Sequence, residues 1–179
     1  MARPLRPEPK FFLSPRSAEE YPAYLERFFA TRGEATVLGE KSTSYSDDPS
    51  APERIESLLS GFRAVFLLRD PIARALSNYS FSRDHGLEDL DPGPALKTGE
   101  DRPLDLMAAG VSTQPRDYIR RGRYIDTLEH WQSKIGRDRI LVLLRKVIQS
   151  SAQSQNDIRL RSENVFPLRH VCGHIEEPL

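Results

Sequence analysis

Hydrophobic residues follow alternating helical and strand-like patterns from residue 17 to residue 144. Apolar positions recur at helical spacing in segments that begin near Ser17, Ser50 and Tyr118, the third ending at Ile135. The first two segments open with a capping box, a serine followed by a glutamate three residues later. Three continuous apolar runs of strand length lie at 35–38, 64–68 and 140–144. This alternation predicts an α/β fold with a parallel sheet whose strands are buried on both faces.

The end of the second apolar run carries a pattern typical of anion binding. Arg69, Asp70 and Pro71 follow the run, with Asp70 suited to cap a helix and Pro71 to its first turn. The free N–H groups of such a helix attract phosphate or sulfate, and Arg69 can add a bidentate guanidinium. Ser77 lies two turns further on and offers a hydroxyl. The residues alone leave a second interpretation open: Asp70 and Pro71 only start a helix, and Arg69 lies at the surface without binding an anion.

The chain divides into three regions. Residues 1–16 predict an irregular lead-in, residues 17–144 an α/β domain, and residues 145–179 a polar, atypical and poorly ordered tail. Within the domain, residues 84–117 are rich in Gly, Pro and charge, with a helical patch only near 104–109. This segment predicts a long functional loop or lid with few buried side chains.

Composition narrows the function. The 179 residues suit one domain, and 26 basic residues balance 26 acidic ones, which argues against a generic nucleic-acid or acidic-membrane binder. No apolar run approaches the ~20 residues of a membrane span, so we expect a cytoplasmic protein. A single cysteine, Cys172, excludes multi-cysteine metal sites. His170 and His174 flank it at alternate positions, but this short, proline-flanked stretch is a weak zinc candidate, and we expect no metal.

Several stretches together resemble the PAPS-dependent sulfotransferases, above all the heparan-sulfate N- and O-sulfotransferase type and its bacterial relatives. Phe11-Phe12 after Lys10 resembles the Lys-Glu-x-x-Phe-Phe region of that family. Residues 121–131 followed by 140–143 resemble its Gly-x-Tyr helix and the next strand. The other two stretches are Gly39-Glu-Lys-Ser-Thr-Ser-Tyr45 and Ala64-Val-Phe-Leu-Leu-Arg-Asp-Pro-Ile-Ala-Arg-Ala-Leu-Ser-Asn-Tyr79. They occur in the family's order over roughly residues 10–144, which is more specific than any single motif.

The resemblance implies a P-loop-NTPase-like three-layer fold and a site for the nucleotide PAPS. Arg69 and Ser77 match the pair that holds the 3′-phosphate of PAPS or PAP. Glu40 matches the carboxylate proposed as the general base for in-line sulfuryl transfer to a hydroxyl or amine. On the residues alone, a solvated carboxylate at a strand end is the favoured interpretation of Glu40. The acceptor, a glycan or a small metabolite, cannot be read from the sequence.

The sequence also departs from the family pattern. It contains no Lys-x-Gly-Thr-Thr loop for the 5′-phosphosulfate, and Arg145-Lys146 replaces the usual acidic step after the last strand. These departures predict a domain that is incomplete at both ends, impaired in catalysis and prone to self-association through unpaired strands. The alternative is a catalytically inactive nucleotide-binding remnant that acts as an interaction module. A P-loop kinase is disfavoured because the Gly-x-x-x-x-Gly-Lys-Ser/Thr run is missing.

Overall fold

A computed structural model describes residues 8–16 and 18–145 of the chain. Five α-helices and two β-strands follow one another in these residues, joined by short 3₁₀ turns. The predicted tail from residue 146 onward, including the weak zinc candidate, lies outside the described residues. The elements are α1 (Tyr21–Phe29), α2 (Ala51–Leu58), β1 (Ala64–Leu68), α3 (Pro71–Asp84), α4 (Pro92–Thr98), α5 (Tyr124–Ile135) and β2 (Ile140–Leu144).

The two strands confirm the predicted parallel pairing. Ala64 lies opposite Ile140, and the register continues to Leu68 opposite Leu144. The prediction that these strands are buried on both faces is wrong for β1 in the described residues. Val65 and Leu67 are 61% and 58% exposed, because the helices of the core pack only against the alternate positions of β1. Side chains alternate between the faces of a strand, so one apolar run serves both a covered and an open face.

The run 35–38 does not form the predicted third strand. Within this run only Leu38 makes a β-bridge, because the residues just before the run form hydrogen-bonded turns. The Arg32 amide donates to the Phe29 carbonyl, and the Ala35 amide donates to the Arg32 carbonyl. Helix α1 consequently ends at Phe29 and not at Gly33. A four-residue apolar run without its own ladder partner is too short to set a strand by pattern alone.

Helix starts are set by aspartates more than by the predicted capping boxes. Asp70 Oδ1 accepts a 2.7 Å bond from the Ala73 amide and caps α3, as predicted. Ser50 precedes α2, but its side chain makes no capping bond. Asp48 instead accepts a 2.9 Å bond from the Ser50 amide and orders the approach to α2. Short polar side chains compete for such free N–H groups, and here the neighbouring aspartate takes the role.

The main core joins helices α2 and α5 to the covered face of the sheet. The Trp131 ring meets the Phe66 ring edge to face at 5.2 Å, and both stripes of the two helices point inward. Tyr45 brings the chain segment after Glu40 into the same cluster. Its buried members are Phe12, Tyr45, Ala51, Ile55, Trp131 and Ile135.

The predicted loop at 84–117 is an anchored segment with its own helix, α4. The Glu88 carboxylate has no exposed side-chain surface and accepts bonds from both Arg102 Nη atoms at 3.0 and 2.8 Å. It also accepts a 2.9 Å bond from the Tyr118 hydroxyl. Few side chains of the segment are buried, as predicted, but Glu88 and its partners anchor it. Helix α5 begins at Tyr124 instead of Tyr118 because Tyr118 is buried against this segment and not along the α5 stripe.

Candidate functional site

The start of α3 presents Arg69 and Ser77 along the same stretch of helix. Arg69 Nη2 donates to the Arg74 carbonyl at 3.4 Å, so its guanidinium lies back along the first turns of α3. A helix carbonyl points toward the residues three and four positions ahead, which are Ser77 and Asn78. The guanidinium is thus at the level of Ser77, whose side chain is exposed. Arg69 and Ser77 therefore stay a predicted pair of donors for one anion.

A second arginine stands beside the first on α3. Arg74 Nη2 donates to the Tyr118 carbonyl, and the Arg74 Nε atom is buried without a hydrogen-bond partner. Burial lowers the pKa of Arg74, and the nearby charges of Arg121 and Arg69 lower it further. Like charges in a poorly solvated place favour a counter-anion. The start of α3 is therefore an electropositive position.

Glu40 is held in a hydrogen-bonded aromatic setting and is not a freely solvated carboxylate. Tyr24 Oη donates to Glu40 Oε2, and Ser42 Oγ donates to Glu40 Oε1 at 3.3 Å. Burial raises the pKa of the Tyr24 and Tyr45 hydroxyls, and the neighbouring Glu40 carboxylate raises it further. Both tyrosines consequently remain protonated donors at neutral pH, which fixes the orientation of Glu40.

Lys10 is linked to Glu40 through the Ser42 hydroxyl. Its amide donates to Ser42 Oγ at 3.0 Å, and the same hydroxyl donates to Glu40. Lys10 adopts a left-handed backbone with φ of 55°, the one non-glycine residue with positive φ among those described. Its ammonium donates to Ser112 Oγ at 3.0 Å. Strained residues of this kind persist where the surrounding structure holds them, often at functional sites.

The structure adds a second carboxylate that the sequence analysis missed. Glu8 Oε1 accepts a 3.0 Å bond from Thr43 Oγ1 and lies 3.8 Å from Lys41 Nζ. The Lys-Glu-x-x-Phe-Phe resemblance contained the signal, because Glu8 stands three residues before the Phe11-Phe12 pair. Glu8 and Glu40 thus approach the same turn at 41–43 from two sides. Either carboxylate can serve as a base for an acceptor placed there.

Arg121 connects Asp47, the last residue of the 3₁₀ segment Thr43–Asp47, to α3. Its Nη1 donates to Asn78 Oδ1 at 2.7 Å, and its Nη2 lies 2.7 Å from Asp47 Oδ2 as an ion pair. No direct contact joins Glu40 to Arg69 or Ser77 within residues 8–16 and 18–145. The two predicted half-sites are neighbours through Asp47, Arg121 and Asn78.

A cavity of about 260 Å³ opens between residues 47–49 and 106–121. Ser112, which binds the Lys10 ammonium, forms part of its wall. Arg121, which bridges to α3, forms another part. The cavity therefore lies beside both half-sites. Its lining residues are Asp47, Asp48, Pro49, Leu106, Ser112, Thr113, Gln114, Asp117, Arg120 and Arg121.

Residues 8–16 and 18–145 hold no group of three His, Cys, Asp or Glu side chains that could bind a metal ion. In the same part of the chain, no helix has the length and apolar character needed to cross a membrane.

Comparison with curated proteins identifies heparan sulfate sulfotransferases as relatives. Human heparan sulfate glucosamine 3-O-sulfotransferase 3B1 is 28% identical over 124 residues, which is 69% of this chain and 30% of that protein. The bifunctional heparan sulfate N-deacetylase/N-sulfotransferase 1 of Caenorhabditis elegans is 34% identical over 101 residues, 54% of this chain and 11% of that protein. The chain thus spans less than a third of the length of these relatives. No family model matches the chain.

Among solved structures, a bacterial sulfotransferase has a similar fold. A sulfotransferase from Alicyclobacillus acidocaldarius superposes with a TM-score of 0.61 at 24% identity, covering 79% of this chain and 62% of that one. This likeness confirms the predicted α/β, P-loop-like fold class with a parallel sheet. The resemblance seen in the sequence is confirmed by the curated relatives: the chain is similar to heparan sulfate sulfotransferases over part of their length, and its fold is that of a solved sulfotransferase.

Proposed function

We propose that the chain takes part in transferring a sulfuryl group from PAPS to a hydroxyl or amine acceptor. The observation that carries this proposal is the start of α3, where the guanidinium of Arg69 lies along the helix at the level of the exposed Ser77. Asp70 caps this helix, and Arg74 lies close to Arg69 and Arg121 on its first turns. These residues suit the 3′-phosphate of PAPS, which needs a charged fork and a hydroxyl donor.

The acceptor side of the proposed site is the turn at 41–43. A general base must lie within hydrogen-bond reach of the acceptor proton. Glu40 is the base proposed from the resemblance, and Tyr24 and Ser42 hold it in one orientation. Glu8 is the second candidate, and its carboxylate shares Oε1 between Thr43 and the more distant Lys41. Lys10, placed between the serines at 42 and 112, can stabilise negative charge on the transferred group.

Calorimetric binding of PAP tests the nucleotide half of the proposal. We expect Arg69→Ala to weaken PAP binding by about 1.5–3 kcal/mol, the range for a lost charge-assisted hydrogen bond. Arg137→Ala is the matched control, because Arg137 precedes β2 at the amino edge of the parallel sheet, opposite the edge where Arg69 follows β1. Equal affinity of Arg69→Ala and wild type refutes the assignment.

Radiolabelled PAPS with alcohol and amine acceptors tests the transfer itself. Glu40→Gln and Glu8→Gln keep the size of each side chain and remove its basicity. Loss of about 10²–10⁴-fold in turnover is expected for whichever carboxylate is the base. A large loss in Glu8→Gln with a small one in Glu40→Gln reassigns the base and leaves the reaction in place.

The alternative function, an inactive nucleotide-binding interaction module, is favoured by one observation. Val65 and Leu67 on β1 and Leu144 on β2 are exposed apolar side chains at adjacent strands. Such surfaces often take part in protein association. PAP binding without turnover of PAPS by wild type supports this alternative over the enzyme.

A further inference from the structure

The charges that line the cavity are already neutralised by one another. Five charged side chains face it, three aspartates and two arginines, and each is in an ion pair with an opposite charge. Asp48 takes its partner, Arg54, from α2, outside the lining of the cavity. The three pairs are Asp47–Arg121 at 2.7 Å, Asp48–Arg54 at 2.6 Å and Asp117–Arg120.

Two of these pairs are shielded enough to persist when a ligand binds. The side chains of Arg121 and Asp47 are 19% and 14% exposed, and Arg121 also donates to Asn78. A ligand anion that recruited Arg121 would leave the Asp47 carboxylate uncompensated and poorly solvated. Leaving one partner of a buried pair unpaired is costly. The cavity therefore resists anionic ligands although it contains arginines.

The remaining polar groups of the lining are uncharged. Thr113 has a hydroxyl that makes no hydrogen bond within residues 8–16 and 18–145, and Ser112 and Gln114 flank it. At about 260 Å³, the cavity lies below the ~300–1,000 Å³ typical of pockets for drug-sized ligands. Both amide atoms of Gln114 are bonded to the Leu104 backbone, and the Ser112 hydroxyl is bonded to Lys10 and Ser44, so the Thr113 hydroxyl is the free polar group of these three. A space of this size suits a single sugar ring.

One cation at the rim has no acidic partner among the described residues. Lys10 donates its ammonium to Ser112 Oγ, on the side of the cavity that faces Ser42 and Glu40. This position serves the single charge of a transferred sulfuryl group. A polyanionic chain requires a row of free cations, and one lysine does not provide it.

From these contacts we infer that the cavity binds an uncharged, hydroxyl-rich sugar unit of the acceptor, and that the chain does not take a polyanionic glycan there. This inference rests on the proposed sulfuryl transfer. It separates the chain from the curated relatives, whose names specify heparan sulfate, a polyanion. The balance of 26 basic and 26 acidic residues agrees with it.

Retention of the full chain on immobilised heparin tests the charge argument without any need for turnover. We expect wild type to elute at or below ~0.15 M salt, where surface charges are still only partly screened. Retention far above that concentration overturns the inference. Asp117→Asn should release Arg120, which is 52% exposed, and shift elution to higher salt.

The matched control is Asp126→Asn. It makes the same change in net charge and releases Arg123 from an exposed pair at 3.0 Å, away from the cavity lining. A larger shift for Asp117→Asn than for Asp126→Asn supports the inference. Equal shifts overturn it, because net charge alone would then explain the retention.

Transfer from radiolabelled PAPS gives the second readout. The probes are heparosan, which carries a uronate in every disaccharide, and the neutral trimer of N-acetylglucosamine. Transfer to the neutral trimer supports the inference, and transfer to heparosan alone overturns it. If neither probe accepts sulfate, the proposed function fails with these acceptors, and the heparin column still decides the charge argument.

Discussion

The Tyr118 hydroxyl donates a 2.9 Å hydrogen bond to Glu88 Oε2, across thirty residues of chain. Both side chains are buried, and Arg102 completes the arrangement with two charge-assisted bonds to the same carboxylate. Burial raises the pKa of Tyr118 to about 12, so the hydroxyl stays a donor across the physiological range. Because the Tyr118 backbone carbonyl accepts from Arg74, this contact also sets the position of the segment that carries Arg121.

Glu88 is expected to make the free energy of unfolding depend on pH in the acidic range. Burial by itself raises the pKa of its carboxyl, but the bonds from Arg102, the Leu90 amide and Tyr118 outweigh burial and lower the pKa to about 2. A lowered folded-state pKa means that the contribution is complete above the unfolded value near 4.5 and is lost as pH falls toward about 2. Urea unfolding between pH 2 and 6 measures this slope.

Glu88→Gln removes the charge and keeps the shape. We expect a loss of about 2–4 kcal/mol at pH 7, because Arg102 and Arg116 lose a buried partner. The variant should also lose most of the acid dependence below pH 4.5. Glu129→Gln is the control, since that exposed side chain makes no hydrogen bond or ion pair within residues 8–16 and 18–145. An unchanged acid slope in Glu88→Gln would assign the slope to other carboxylates.

Gly99 is expected to tolerate no side chain. A Cβ at this position would overlap the Arg116 carbonyl oxygen and lie 2.9 Å from the Tyr118 ring. Both neighbours belong to the Glu88 network and cannot move freely, so Gly99→Ala should cost about 2–3 kcal/mol through overpacking. Gly93→Ala in α4 has open space and should be neutral or stabilising by up to ~1 kcal/mol. Thermal denaturation of the two variants side by side makes the comparison.

The Tyr24 hydroxyl is expected to stabilise the fold through Glu40. Tyr24→Phe leaves the ring stacked on Phe11 at 4.3 Å but removes the donor to the carboxylate. The expected loss is about 1–3 kcal/mol, since hydrogen bonds to charged groups are worth more than neutral ones. Tyr21→Phe is the control, because the Tyr21 hydroxyl makes no hydrogen bond to the part of the chain that the structure describes. Equal unfolding midpoints for the two variants would contradict this role.

Arg121 is expected to position the 3₁₀ segment Thr43–Asp47, which follows the turn at 41–43, against α3. Arg121→Met keeps the length of the side chain but removes its contacts with Asn78 and Asp47. We expect a loss of about 1–3 kcal/mol in stability, with weakened PAP binding as α3 loses its tie to the turn. Arg139→Met, which breaks a 2.8 Å pair with Glu56 near the start of β2, should cost stability without changing PAP affinity. Unchanged PAP affinity in both variants would leave Arg121 a purely structural role.

Local patterns predicted the elements that depend on local contacts. The bounds of β1 and β2 follow from uninterrupted apolar runs, and Asp70 with Pro71 marks the start of α3. The run at 35–38 was misread, because its fate depends on a ladder partner that lies elsewhere in the chain.

Contacts across long separations could not be read from the sequence. Glu88 and Arg102 look like ordinary loop charges, and only the folded chain shows that they bury one another. At the site, Arg69 and Ser77 are close in sequence, so one helix pattern predicted both. Glu8 was missed because its meeting with Thr43 joins two irregular segments, for which periodicity gives no signal.

The pairing of Ala64 with Ile140 has a consequence for the order of folding during synthesis. The ribosome must add all of α3, α4 and α5 before β1 can find its neighbour, which takes several seconds at about 5–20 residues per second. During that interval Val65, Leu67 and the ladder groups of β1 have no native partner strand among the described elements. The nascent chain therefore passes through a stage in which chaperone binding competes with aggregation, and the speed of translation between residues 69 and 140 helps to decide the yield of folded protein.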